Sequence, residues 1–304
     1  MKSYRYPLVL VLVVTLLSNF VQAQEIEPRA YTNAPIGVNF LVAGIGYSEG
    51  GISFDPAVRL TNANIKTDLA ALAYARVLDI GGQSAKFDLI VPYASLNGTA
   101  DYIGQPVARD ISGFGDPKLR LSMNFLGAPA LTLDQFAGYR HDLIVGGSLQ
   151  VSLPIGQYDP AKLVNIGSNR WYVKPELGMS KGWGQWTLEL STGATIFGEN
   201  EDFFGGKRRE QAPIYSFQSH LVYGFSAGIW GALTAAYFTG GQTKIDGVRG
   251  HDLQQNTRIG ATLAWPIDRR NSIKLHASSG VYTRTGTDFD TIGLAWQYRW
   301  GGGL

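Results

Sequence analysis

The chain has 304 residues, with 26 Lys and Arg against 24 Asp and Glu, 38 glycines, 12 % aromatics and no cysteine. The missing cysteine excludes disulfides, thiolate metal centres and a cysteine nucleophile. The near-neutral balance, with no basic stripe, argues against a nucleic-acid partner.

The first element is an export leader. Lys2 and Arg5 precede an apolar run from Pro7 to Leu17, and Val21-Gln22-Ala23 supplies small residues for cleavage after Ala23. Basic start, short apolar core and small cleavage residues define a secretory signal peptide over 1–23. The run is shorter than the roughly 20 apolar residues of a spanning helix. No later run reaches that length, so a helical membrane protein is excluded. Residues 24–304 show no linker and read as one domain.

From there to the C-terminus, strand-like segments with period-two alternation are separated by turn residues. The predicted strands are 37–47, 66–79, 84–96, 115–127, 142–154, 170–181, 184–198, 213–225, 228–241, 254–266, 271–283 and 288–300. Lys118-Leu119-Arg120-Leu121-Ser122-Met123-Asn124-Phe125 alternates cleanly, as do Trp186 to Ser191 and Thr257 to Trp265. Each such segment has one greasy and one polar face. The segments exceed the ~5–6 residues of a typical soluble strand and suit tilted spanning strands of ~9–11. Connections alternate between long (48–65, 97–114, 155–169, 199–212, 242–253) and short (80–83, 182–183, 226–227, 267–270). That is the layout of bacterial outer-membrane barrels. The connection 128–141 is too long for a tight turn, and Leu131 to Phe136 reads as one helical turn. Either 97–114 or 155–169 is long enough to fold inward as a plug.

The expected fold is therefore all-β: an antiparallel transmembrane β-barrel of about twelve strands. In lipid every backbone polar group needs an internal partner, so the sheet must close on itself. An even strand count returns both termini to the periplasmic side of an outer membrane. Tyr47, Tyr93, Trp183, Tyr215, Tyr223, Trp265 and Trp300 fall near strand ends, where interfacial aromatic girdles form.

The polar faces define the candidate site. They place Lys118, Arg120, Asn124, Gln150, Lys174, Glu176, Glu189, Gln218, His220, Arg258, Lys274, His276, Gln297 and Arg299 in the lumen. Such a set either lines a solute path or pairs across the barrel and fills it. Glu176 and Glu189 lie on adjacent strands, with Lys174 and Lys118 as candidate partners. A hydrolase reading uses His276 and Ser278, two apart on one face, with Asp290 to orient the histidine. His141, His220 and His251 are scattered, so no metal is expected. No Gly-rich loop joins a strand to a helix, so no nucleotide cofactor is expected. Lys207-Arg208-Arg209 is a short basic cluster in a long loop.

Three further stretches carry a family resemblance: Gly113-Phe114-Gly115-Asp116-Pro117-Lys118-Leu119-Arg120, Val151-Ser152-Leu153-Pro154-Ile155-Gly156-Gln157-Tyr158 and Trp171-Tyr172-Val173-Lys174-Pro175-Glu176-Leu177-Gly178. With the tail Trp296-Gln297-Tyr298-Arg299-Trp300 they resemble the family named for the meta-pathway of phenol degradation, over essentially the whole mature chain. The resemblance implies an outer-membrane barrel that carries small hydrophobic or aromatic molecules and is not an enzyme. Its partners would be outer-membrane lipids and the barrel-insertion machinery, and the Lys207-Arg208-Arg209 cluster is either a contact for lipopolysaccharide phosphates or a solvated loop. One departure is the Gly301-Gly302-Gly303-Leu304 extension after Trp300, where such barrels usually end on an aromatic. The alternatives are a structural or adhesive barrel with a packed lumen, and the His276/Ser278 lipid hydrolase.

Overall fold

A computed structural model of the chain describes residues 27–53, 60–226 and 228–304. The leader read over 1–23 lies outside the described residues.

The strands run β1 (Val38–Ser53), β2 (Leu60–Ile80), β3 (Gln83–Tyr102), β4 (Gln105–Phe114) and β5 (Lys118–Leu126), followed by a helical turn α1 (Leu133–Phe136) and β6 (Leu143–Ser152). β7 (Tyr172–Trp183), β8 (Trp186–Phe197), β9 (Asn200–Phe203), β10 (Lys207–Gln211), β11 (Ile214–Ser226) and β12 (Ile229–Gly240) come next. β13 (Thr243–Ile245), β14 (Val248–Arg249), β15 (Gln254–Pro266), β16 (Asn271–Thr283), β17 (Gly286–Thr287) and β18 (Asp290–Gly301) complete the chain. The main sheet has 14 strands. They make twelve staves once β4 and β5 are taken as one strand broken at Gly115-Asp116-Pro117 and the two-residue β17 is set aside.

The sheet closes. β1 pairs with β2 on one side and with β18 on the other, from Val38 opposite Gly301 to Glu49 opposite Asp290. Among the described residues no wall edge is left open, as hydrocarbon requires. Outward-facing Leu72, Leu177, Phe217, Leu233 and Ile259 are exposed, Leu233 by 65 %. In water this belt would be an aggregation surface; in a bilayer it matches its solvent. Aromatics gather at its rims. Trp186, Tyr223 and Phe225 contact in series at the end carrying the short turns, and Trp296, Tyr298 and Trp300 stack there too. Tyr93 and Phe114 meet edge-on toward the other end.

Two connections read as loops are strand instead. β1 continues to Ser53 and β2 begins at Leu60, which takes in much of 48–65. The segment 97–114 is a hairpin: β3 runs to Tyr102, turns through Ile103-Gly104 and returns as β4. Asn97 pairs with Asp110 and Thr99 with Ala108. Beyond the lipid neither face must be greasy, so alternation fades while the hydrogen-bond ladder continues. The segments 199–212 and 242–253 likewise carry a four-stranded sheet, β9, β10, β13 and β14, outside the wall.

Both ends are covered. At the turn end, 128–137 folds under the barrel with α1 in it. The Ala128 carbonyl accepts from Ser84 N, the Leu131 carbonyl from Ile36 N, and the Pro129 carbonyl from Asn33 Nδ2 at 3.1 Å. Gly301, Gly302 and Gly303 all have positive φ, which turns the tail beneath the rim, where Leu304 O accepts from Arg270. At the loop end, 155–169 folds inward. The Asp116 carboxylate accepts from Gly156 N at 2.9 Å, Ser168 N at 2.8 Å and Ser168 Oγ at 2.6 Å. Val164 and Ile166 pack on Ile65, Leu96, Ile111 and Phe289.

Candidate functional site: a divided lumen

The chain enters the barrel before it builds it. Residues 27–36 lie inside the wall and lead down to β1. Tyr31 is 3 % exposed, and its hydroxyl donates to Glu176 Oε1 at 3.0 Å. Its ring packs against Gly146 and Gly178. A Cβ built on Gly178 would stand 2.1 Å from Tyr31 Cε2, and one on Gly146 2.9 Å from Cδ1. Only glycine at those two inward positions leaves room for the ring. Arg29 N donates to Glu189 Oε2 at 2.5 Å, while the Arg29 guanidinium sits 5.2 Å from the Trp230 ring.

The wall that receives this segment is the polar one. Lys174 Nζ reaches Glu176 Oε2 at 3.2 Å, and Arg120 bridges Glu176 at 3.7 Å and Glu27 at 3.4 Å. Ser180 Oγ donates to Glu189 at 3.1 Å and Gln150 Nε2 to the Tyr172 hydroxyl at 2.9 Å. His220 Nδ1 shares a hydrogen bond with Thr234 Oγ1 at 2.8 Å. These charges are desolvated, and each needs its partner to remain so. The Glu27 side chain is half exposed to the lumen; the protein around it would raise its carboxyl, but Lys86, Lys274 and Arg120 outweigh that and hold it at about 2.

The opposite wall is apolar and fine-grained. Register puts Gly44 between Ala295 and Ala71, Gly46 between Gly293 and Leu69, and Val42 opposite Ala73. Ile90 and Pro92 follow on β3, opposite Ala73 and Ala71. Because the N-terminal segment lies on the polar wall, a cavity of about 260 Å³ stays open here. For scale, an apolar cavity of ~150 Å³ holds benzene. Lys118, Arg258, Lys274, His276 and Ser278 also line it. Arg258 Nη2 donates to the Phe289 carbonyl at 2.5 Å.

The structure therefore sorts the predicted residues. Arg120, Gln150, Lys174, Glu176, Glu189 and His220 gather on the polar wall. Lys118, Arg258 and Lys274 face the cavity. Arg299 joins neither group: it is exposed at the turn-end rim, where Nε donates to the Arg269 carbonyl at 2.7 Å. Inward alternation runs on past the lumen to that rim, and spacing alone did not separate the two. Glu189 also differs from expectation, taking Arg29 N and Ser180 in place of a lysine. The proposed triad is not assembled. His276 and Ser278 share the cavity, but Asp290 is exposed and accepts from Ser279 Oγ at 2.5 Å. Arg208 of the basic loop pairs with Glu199 at 2.5 Å.

Sequence reasoning missed the N-terminal segment and the apolar wall. The signal for the wall was present: Leu69-Ala70-Ala71-Leu72-Ala73 and Leu41-Val42-Ala43-Gly44-Ile45 are apolar at every position. Such runs mark strands apolar on both faces. For the segment 27–36 no periodic signal exists.

A closed barrel, greasy outside and partly filled within, defines a transmembrane β-barrel of the outer-membrane class. The chain belongs to the family described as "Putative MetA-pathway of phenol degradation", whose profile matches residues 48–297. Its fold is similar to the COG4313 outer membrane channel from Pseudomonas putida F1, at 20 % identity and TM-score 0.78, covering 91 % of this chain and 100 % of that one. The transport unit of the autotransporter AIDA-I from Escherichia coli is also similar, at 8 % identity and TM-score 0.56, covering 90 % and 93 %. At these identities the likeness establishes fold alone. Sequence comparison with curated proteins gives no match.

Proposed function

We propose that this protein is an outer-membrane channel through which small, mainly apolar molecules enter along the apolar half of the lumen. One observation carries the reading: the cavity of about 260 Å³ between the N-terminal segment and the Gly44/Ala71 wall. It is too large for a packed structural barrel, and most of its lining is small and apolar. Covers at both ends make it gated. Lys118, Arg258 and Lys274 line the solute path, whereas Arg120, Gln150, Lys174, Glu176, Glu189 and His220 hold the segment that narrows it.

The same reading sets the surroundings. Residues 1–23 direct export, the insertion machinery closes the wall, and lipid and lipopolysaccharide contact the belt. Both termini are periplasmic. The protein acts without a cofactor and without catalysis. Proteoliposomes loaded with a toluene-trapping phase test the function: purified protein accelerates toluene entry over empty vesicles. Equal rates with and without protein would end the proposal.

A further inference from the structure

The channel reading, on which this inference rests, leaves open which apolar molecules fit. Charges in the filled half are matched: Lys174 and Arg120 close salt bridges on Glu176, and Arg120 one on Glu27. The open half differs. Lys274 enters the cavity from β16, and its register neighbours on the next strands are Ala295, Gly44 and Ala71. None of those side chains has a polar atom. Among the described residues Lys274 closes no salt bridge. The carboxylate that shares its cavity is Glu27, which feels the Lys274 charge from beyond salt-bridge range and is bridged by Arg120 at 3.4 Å.

A second cation stands farther along. Gly280, opposite Arg258, lies six residues beyond Lys274 on β16, or ~20 Å at ~3.3 Å per residue. Arg258 thus faces the loop end of the cavity and Lys274 its deeper part. A lysine beside an apolar wall is costly unless a partner supplies the opposite charge. A ligand can be that partner, since charge-assisted hydrogen bonds are the strong ones. The glycines and alanines beside Lys274 leave a flat surface that suits a planar ring.

We propose that the cavity selects small aromatic monoanions over neutral aromatics, with Lys274 holding the ligand carboxylate and the Gly44–Ala71 wall receiving its ring. The protein then binds an acid with a small, flat hydrocarbon part more tightly than it binds the neutral hydrocarbon.

The test is equilibrium dialysis of the full chain in nonionic detergent, with benzoate and benzyl alcohol as probes, at neutral pH. Heat-modifiable migration confirms that each variant is folded. Wild type is expected to bind benzoate more tightly than benzyl alcohol. Lys274→Met is expected to lose about tenfold or more in benzoate affinity, the scale of a charged hydrogen bond, and to keep benzyl alcohol. Lys274→Arg is expected to retain benzoate. Benzyl alcohol bound as tightly as benzoate by wild type, or benzoate unaffected in Lys274→Met, overturns the selectivity and leaves the channel reading standing. Neither probe bound by folded wild type overturns both. The wild-type comparison decides the matter even where a variant does not fold.

Discussion

The two halves of the lumen solve opposite problems. On β5 to β8, glutamates, lysines and an arginine are spent on one another and on the N-terminal segment. On β18, β1, β2 and β3, small apolar residues leave space. Dense charge in a barrel is thus no mark of a solute path: here it marks where the chain has filled its own pore, and the path lies where side chains are smallest.

The sharpest way to break this comparison is to unseat the filling. Gly178→Val places atoms inside the Tyr31 ring and expels residues 27–36 from their seat. Planar-bilayer recordings are expected to change from little or no current to resolved channel steps, and unchanged recordings would mean that the segment does not restrict the pore. The converse fills the open half. Ala71→Trp occupies the cavity, at an overpacking cost of ~1–3 kcal/mol, and is expected to abolish toluene entry in a barrel that still folds.

Smaller effects sharpen the account of the polar wall. Glu176→Gln leaves Arg120 and Lys174 short of a carboxylate. Breaking such a buried network costs ~3–5 kcal/mol, read as a lower denaturant midpoint. Tyr31→Phe removes one hydrogen bond to a charged acceptor, ~1.5–3 kcal/mol, in the same assay. Acid is expected to do least. The Glu27 carboxyl is lowered from 4.5 to about 2, so its contribution to stability is complete above the unfolded value, declines as the pH drops below it and is gone once the pH has fallen through about 2, while the folded protein keeps the carboxylate ionised down to that point. Channel current is therefore expected to stay constant between pH 7 and pH 4; opening within that window would remove Glu27 as an anchor.

The alternating strands were legible because lipid on one side and polar groups on the other impose period two. Lys118 to Phe125 and Trp186 to Ser191 show it directly. β1 and β2 obey a different rule, since their lumen faces are apolar too, and alternation is silent there. The N-terminal segment was illegible because its order comes from long-range partners: Tyr31 with Glu176 and Gly178, Arg29 with Glu189. The family stretches gain a physical meaning. Asp116 of Gly115-Asp116-Pro117 pins the loop 155–169 through Gly156 and Ser168, and Pro175-Glu176-Leu177-Gly178 supplies the seat of Tyr31. Both motifs close the lumen.

Toluene entry into proteoliposomes, compared between Ala71→Trp and the double variant Lys174→Met/Glu176→Gln, weighs one wall against the other most directly. Loss of entry in Ala71→Trp with entry kept or raised in the double variant is the expected result. Entry kept in Ala71→Trp and lost in a folded double variant would contradict it, and would return the solute path to the charged wall.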